Sequence, residues 1–446
     1  MATPLDAALH LVRQRDGRWH LRSTRGEWAG PMLRGRPADQ APTLLPGLYA
    51  LCGGAHRLAA RHALAAARNP ASGAPRTATL AGIGGTLGSQ GPRDAGGADS
   101  AQADATADTN ADATADAQAL RLDTLREHLR RLWLDAPRAL AAGAAATAAP
   151  AAADLAAAPF MRTASDLGDT ATEAAARRWI EAHVLQRDAE AWLAAWDADA
   201  ASHADRWVAT AQTWPARWLG TVRRLLGEQA APCRPLRAAA SEAGLRALAD
   251  ALRQQPAFAL APTEGSLPAE TGCWTRLADP RLTTTAATAA TAPMQPLWLR
   301  HAARIAELAR LVTTHGAWWL AQGRFSPVST TSAPNLPTSG PQTVAADTER
   351  RTPPLREGLG WCEMARGLLV HWVRLDADDR IAAYRVLAPT EWNFHPEGSA
   401  AQALVACAGG APATGVDMAQ LLATAAAYDP CVELRLETGD QERADA

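Results

Sequence analysis

The sequence predicts a mixed α+β chain in which a helix bundle occupies the middle and β structure enters near the C-terminus. Two observations carry this. "EAAARRWIEAHVLQRDAEAWLAAWDAD" and "PLWLRHAARIAELARLVTTHGAWWLAQGR" are helical by pattern, and in the second Ile305, Leu308 and Val312 recur at the spacing of one buried stripe. "GLLVHWVRLDADDRIAAYRVLAP", in contrast, holds two β-type runs around the acidic turn Asp376 to Asp379, which predicts a hairpin.

Residues 1–82 form an N-terminal segment that carries a lone Cys52 in "LYALCGGAHRLAARHAL". Residues 83–157 are dominated by Ala, Asp, Thr, Gly and Gln and read as a largely disordered insertion, broken by a short helix around "LRLDTLREHLRRLWL". Deleting "SAQADATADTNADATADAQA" is then expected to leave stability nearly unchanged, because loop length costs little. Residues 158–323 are the helical bundle region and 324–356 a loop rich in Pro, Ser and Thr. Residues 357–446 carry the hairpin, the polar and aromatic loop "TEWNFHPEG", and an Ala/Leu helix, "MAQLLATAAA", which Asp429-Pro430 stops just before a second lone cysteine, Cys431. The five segments are expected to form one structural domain overall.

Composition excludes several classes of function. All 44 basic residues are arginine, so no arginine is informative by type alone. The formal net charge of -2 and the interspersed signs give no basic stripe, which argues against nucleic-acid binding. No run of some 18 apolar residues suits a membrane span, and the first residues lack a signal-peptide pattern, so the chain is expected to be cytoplasmic. The 16 Trp, against four Phe and three Tyr, must supply much of the large-side-chain packing. Six cysteines, at 52, 233, 273, 362, 407 and 431, form no CxxC pair and no zinc pattern.

The stretch "EMARGLLVHWVRLDADDRIAAYRVLAPTEWNFHPEGSAAQALVA", followed by "YDPCVELRLE", resembles the C-terminal part of nickel-iron hydrogenase large subunits. That family shows Glu-Ala-Pro-Arg-Gly, a hairpin, Pro-Thr-x-Trp-Asn-x-x-Pro and finally Asp-Pro-Cys-x-x-Cys-x-x-His. "RDGRW", "RSTRGEWAGPMLRGRPADQAPTLLPGLYALCGGAHRLAA" looks like the family's first segment, which ends in Arg-x-Cys-Gly-x-Cys-x-x-x-His. The resemblance implies a large-subunit-like fold: a central helix bundle with small β elements at both ends and the two cysteine segments meeting at its middle.

In that family four thiolates hold one nickel-iron centre whose iron carries carbon monoxide and two cyanides. Here both motifs are broken alike. After Cys52, Ala55 and Ala59 stand at the second cysteine and histidine positions, with Ala50 at the arginine. After Cys431, Leu434 stands at the second cysteine position and Glu437 at the histidine. The lost cysteines are those that bridge the two metals, so a bimetallic centre cannot be built and no nickel is expected. The ligand side is kept: Arg366 matches the arginine that points at one cyanide, Thr390, after Pro389, matches the donor to the other, and Leu369 matches an apolar wall near carbon monoxide, although Ala365 replaces the proline before the arginine. Cys362 stands close enough to Arg366 in sequence to be considered a third ligand, and Glu27 in "RGEW" resembles a family magnesium ligand with shifted spacing. Asp6 stands where a proton-relay glutamate would, although a surface carboxylate is the plainer reading, and a paired carboxylate and a strand-face imidazole are the plain readings of Glu363 and His371.

These departures are similar to those of the HupK/HoxV-type hydrogenase maturation proteins, a degenerate branch of the large-subunit superfamily. The resemblance implies a non-enzymatic scaffold that holds a transient Fe(CN)2CO group, with Cys52 and Cys431 as metal ligands and the hydrogenase large subunit precursor and general maturation proteins as partners. The alternative is a metal-free interaction module that mimics the large subunit.

Overall fold

The structure, a computed structural model, describes residues 7–69, 76–78, 100–135, 155–156, 158, 160–161, 170–277, 292–313, 319–327, 356–409 and 412–438. Its strands are β1 (Ala8–Arg13), β2 (Trp19–Ser23), β3 (Arg76–Ala78), β4 (Ala230–Pro232), β5 (Met294–Pro296), β6 (Gln322–Phe325), β7 (Arg356–Met364), β8 (Gly367–Leu375), β9 (Ile381–Leu387) and β10 (Glu433–Thr438). Three sheets result, ordered β10-β1-β2, β3-β6-β7-β8-β9 and β4-β5. The first joins the two ends of the chain: β10 runs parallel to β1 with Leu434 opposite Leu9, and β2 returns antiparallel on the other edge.

The five-stranded sheet is a run of antiparallel neighbours. The hairpin expected around Asp376 to Asp379 is β8 and β9, and Asp376 Oδ1 accepts from the amides of Asp378 and Arg380 to close it. The neighbouring strand β7 had no sequence signal of its own, because "REGLGWCEM" is buried on both faces and does not alternate.

The helix Gly53–Arg68 lies across β7 and β8. Its contact face is small on both sides. Ala59, Ala60, Ala63 and Ala67 are fully buried, and they meet two glycines of β7. A Cβ on Gly358 would stand 2.0 Å from the carbonyl oxygen of Ala63, and one on Gly360 would stand 2.2 Å from that of Ala59. The close approach fixes the helix, and with it Cys52 at its N-terminus, against the strand that leads to Arg366.

The helix Leu297–Leu311 is the axis of the bundle and is buried on every side, Ile305 and Leu308 completely. Its polar residues survive there only because each is paired. Arg300 makes a double bond to Glu270, with both N–H···O distances 2.8 Å, and Glu307 accepts from His128, Arg276 and Trp319. Helices Ala189–Ala198, Trp214–Leu226 and Met418–Ala427 pack against it, and Trp192 packs edge-on to Trp207 and stacked on Trp196. The expected helix past Val312 is not continued: the chain re-enters as β6. "TEWNFHPEG" is also more regular than expected, since Pro389–Asn393 forms a short helix.

The short helix expected around "LRLDTLREHLRRLWL" is present and is longer than expected. A helix runs from Ser100 to Arg130, and Leu120, Leu122, Leu125, Leu129, Leu132 and Trp133 are core residues. Asp116 pairs with Arg61 and stands 3.8 Å from His62 on the helix Gly53–Arg68, so removing residues 100–119 takes away a tertiary contact as well as loop length. The extension back to Ser100 went unread because its Ala and Asp are individually weak, whereas the apolar stripe that buries this helix is concentrated in the expected C-terminal part. Residues 83–99 and 136–154, the Pro/Ser/Thr-rich stretch from 328 to 355 and Asp6 lie outside the described residues.

Two expectations follow from this packing. Gly360→Ala should destabilise the chain by about 3 kcal/mol or more, at the upper end of the usual overpacking cost because the clash is with backbone; urea unfolding would measure it. Burial opposes the charge of Glu307, but Arg276 and the His128 hydrogen bond overcome it and hold the carboxyl at about 2. Its folded value is therefore depressed, so its contribution is complete above the ordinary carboxyl value of about 4.3 and is lost as pH falls from there toward 2. Glu307→Gln should cost about 3–5 kcal/mol near neutrality and flatten the acid limb of a pH–stability profile.

Candidate functional site

Cys52 is the residue immediately before the helix Gly53–Arg68, where the helix's free N–H groups favour negative charge. Gly54 allows the helix start to sit against the neighbouring helix, since a Cβ there would fall 1.7 Å from Asp123 Oδ2. Burial pushes the Cys52 thiol up, and the Arg366 guanidinium pulls it the other way.

Cys431 is placed by the end of the helix Met418–Ala427. Asp429 takes φ 51°, a left-handed value that Asp tolerates better than most residues, and so turns the chain out of the helix. Its buried carboxylate lies 2.7 Å from Arg131 Nε and 3.7 Å from Arg304. Arg131 also donates to the carbonyl of Pro430 at 3.0 Å. One side chain thus grips both residues before Cys431. Burial works against the Asp429 charge, yet Arg131 and Arg304 hold it well below the usual carboxylate range. Asn393 adds a tie from the other side, donating to Tyr428 O at 3.3 Å.

Cys52 and Cys431, from opposite ends of the chain, line one cavity of ≈ 200 Å³ together with Arg366, Pro389 and Thr390. Arg366 sits in the tight β7–β8 turn, followed by Gly367 at φ 125°. Its NH1 lies 2.5 Å from Glu127, while its Nε is buried with no hydrogen-bond partner among the described residues. Glu127 is itself buried and pushed up to about 7 by that burial, against the pull of Arg366. Thr390 donates to Cys431 Sγ at 3.1 Å.

Two side chains that sequence reasoning missed complete the site. Arg25 reaches the cavity and donates from NH1 to Cys431 Sγ at 2.6 Å and from Nε to Glu391 at 2.5 Å. In an all-arginine chain nothing marked it out. Glu127 lies in the short helix expected around "LRLDTLREHLRRLWL", with no motif to single it out. His56 also lines the cavity, stacked on Tyr49 and linked through His371 to the Tyr384 hydroxyl. Burial holds both imidazoles well down, so this is a neutral relay.

The remaining predicted residues lie elsewhere. Leu369 is fully buried on β8 opposite Cys362 and, although on the same sheet face as Met364, does not line the cavity; Met364, at the end of β7 next to the Arg366 turn, does. Cys362 is buried with its Sγ 3.6 Å from the carbonyl of Ala55, so it pins the turn below Cys52. Glu27 accepts from the Gly30 amide at 3.0 Å and caps a helix start. Glu437 is on β10, 2.5 Å from His10 in the chain-end sheet. Glu363, as expected, is a paired carboxylate, 2.5 Å from Arg276.

The nickel-dependent hydrogenase family matches residues 283–433. The hydrogenase expression/formation protein HoxV of Cupriavidus necator is 32% identical over 420 residues, covering 93% of this chain and 91% of the relative. The chain belongs to this hydrogenase expression/formation family. HupK of Rhizobium leguminosarum bv. viciae is 44% identical over 89 residues, 20% of this chain and 23% of its own. Among solved structures, the reduced nickel-iron-selenium hydrogenase of D. vulgaris Hildenborough aligns over 94% of each chain at 15% identity and a TM-score of 0.44. Among the described residues no helix is long and apolar enough to cross a membrane.

The cavity presents two thiols, Cys52 and Cys431. It does not fit a four-thiolate centre: Ala55 is buried with its carbonyl engaged by Cys362, and Leu434 is held in β10 by pairing with β1. Arg366 and Thr390 line the cavity as polar groups, the Thr390 hydroxyl being engaged on Cys431 Sγ. Arg131→Met should leave Asp429 buried with only the more distant Arg304, costing about 3–5 kcal/mol as for other broken buried pairs; thermal unfolding beside Arg304→Met would rank the two contacts.

Proposed function

We propose that this chain is a non-catalytic carrier of an Fe(CN)2CO unit during assembly of a nickel-iron hydrogenase active site. The observation that carries this reading is that the two lone cysteines line one small cavity with Arg366 and Thr390. Two soft thiolates suit low-spin iron. Arg366 offers a fixed fork and Thr390 a hydroxyl, the donor types that hold cyanide nitrogens. A thiol held up by burial at Cys52 stays protonated until a cation arrives, so loading releases a proton and emptying restores the neutral state. With two protein–metal bonds in place of four, release to a four-cysteine acceptor is downhill. The partners are then the maturation proteins that supply the unit and the large subunit precursor that receives it.

Purified from a host with the maturation machinery, the protein should show cyanide and carbonyl stretches in the infrared, and Cys52→Ala or Cys431→Ala should each abolish them. A wild-type protein without those bands overturns the carrier reading. One observation favours the metal-free alternative: Leu51, next to Cys52 at the cavity, is 54% exposed and offers an apolar contact to a partner. That reading expects both cysteine variants to support hydrogenase maturation at the wild-type level.

A further inference from the structure

Arg25 occupies the site in a way that neither the carrier reading nor the family match assigns. Its guanidinium lies 2.6 Å from Cys431 Sγ, so a cation already sits on one of the two sulfurs. A metal–sulfur bond of about 2.3 Å brings a metal to that sulfur at closer range still. The other arm of Arg25 is anchored on Glu391, Nε to Oε1 at 2.5 Å. Both side chains are mostly buried, at 14% and 9% exposure, so neither charge is shared with bulk water. Glu391 Oε2 is buried and has no hydrogen-bond partner among the described residues. The pair is thus held by one arm, with a second carboxylate oxygen waiting beside a guanidinium whose natural geometry with carboxylate is two-armed.

We propose that Arg25 is an exchange partner for the cargo: it holds Cys431 when the site is empty and turns onto Glu391 Oε2 when metal takes the sulfur. The step is a ligand exchange without electron transfer. The N–H···S contact breaks, the Cys431 thiol proton passes to water as the sulfur–metal bond forms, and the guanidinium keeps its own protons and gains a second N–H···O bond. Run backward, Arg25 re-occupies the sulfur as the metal leaves, which gives the site a built-in means of letting go. Glu391 is the positioning residue for this movement, since it tethers Arg25 in both states. The proposal rests on the carrier reading for the identity of the cargo, but not for the exchange itself.

The test uses the full cargo-free chain and Cd2+ as the probe, followed by sulfur-to-cadmium absorption in the ultraviolet, with Cys52→Ala and Cys431→Ala locating the signal. Arg25→Gln should tighten Cd2+ about tenfold or more, the scale of one charged hydrogen bond that no longer competes. Glu391→Gln should weaken it by about the same factor, because Arg25 loses its alternative partner. Arg25→Lys separates exchange from simple charge and keeps Glu391 paired if the glutamine variant folds poorly. It retains the positive charge but cannot hold sulfur and carboxylate together, so it should also bind Cd2+ more tightly than wild type. An Arg25→Lys affinity equal to wild type, weaker binding in Arg25→Gln, or no cadmium–sulfur signal in wild type and Arg25 variants alike overturns the proposal. In cargo-loaded protein the cyanide and carbonyl bands of Arg25→Lys should outlast those of wild type against a competing dithiol. Absence of bands in wild type would remove the iron cargo and leave the cadmium result to decide the exchange.

Discussion

The near-contact of the helix Gly53–Arg68 with β7 is the constraint on which the rest of the site depends. Gly358 and Gly360 bring strand backbone against helix backbone, and the alanines of the helix present nothing that would hold them apart. Because packed interiors yield little, a fixed helix axis means a fixed helix start. Cys52 therefore stands at a set place relative to the β7–β8 turn, which carries Arg366. Cys362, on the same strand, ties its thiol to the carbonyl of Ala55 in the first turn of that helix.

The other half of the site is held by charge rather than by shape. Asp429, Arg131 and Arg304 fix the turn before Cys431, and Glu127 fixes Arg366. These groups are buried, and a buried charge without its partner is costly, so the arrangement is all-or-none. Arg131 and Glu127 come from the same helix, Ser100–Arg130 with its last turn continuing to Asp135, and so a single element braces both walls of the cavity. Arg25 differs from these in being held between a sulfur and a half-satisfied carboxylate, which leaves it somewhere to go.

Much of the fold was legible. The stripe of Ile305 and Leu308 became the bundle axis, the acidic turn became the β8–β9 hairpin, and Asp429-Pro430 ended its helix. Those signals are local: a period or a stop written in a few consecutive residues. β7 escaped because a strand buried on both faces loses the alternation that marks one, and the first two-thirds of the helix Ser100–Arg130 escaped because alanine and aspartate read as filler. Leu369 shares the sheet face of Met364 but stands further along the strand from the Arg366 turn, and a motif match gives a position in the chain and not a distance from the cavity.

The sequence by itself determined that two cysteine motifs of the hydrogenase type are present and each is missing its second thiol, because identity and spacing are properties of the chain. The same matching singled out Arg366 and Thr390, which the structure places at the cavity. Tertiary structure alone decided that Cys52 and Cys431 share a cavity, that Arg25 reaches Cys431 from 406 residues away in sequence, and that Glu127 and Arg131 brace the walls. The physical reason is that hydrogen bonds and ion pairs between segments far apart in sequence leave no periodic trace in either segment, and in a chain whose only basic residue is arginine the partner cannot be chosen by type.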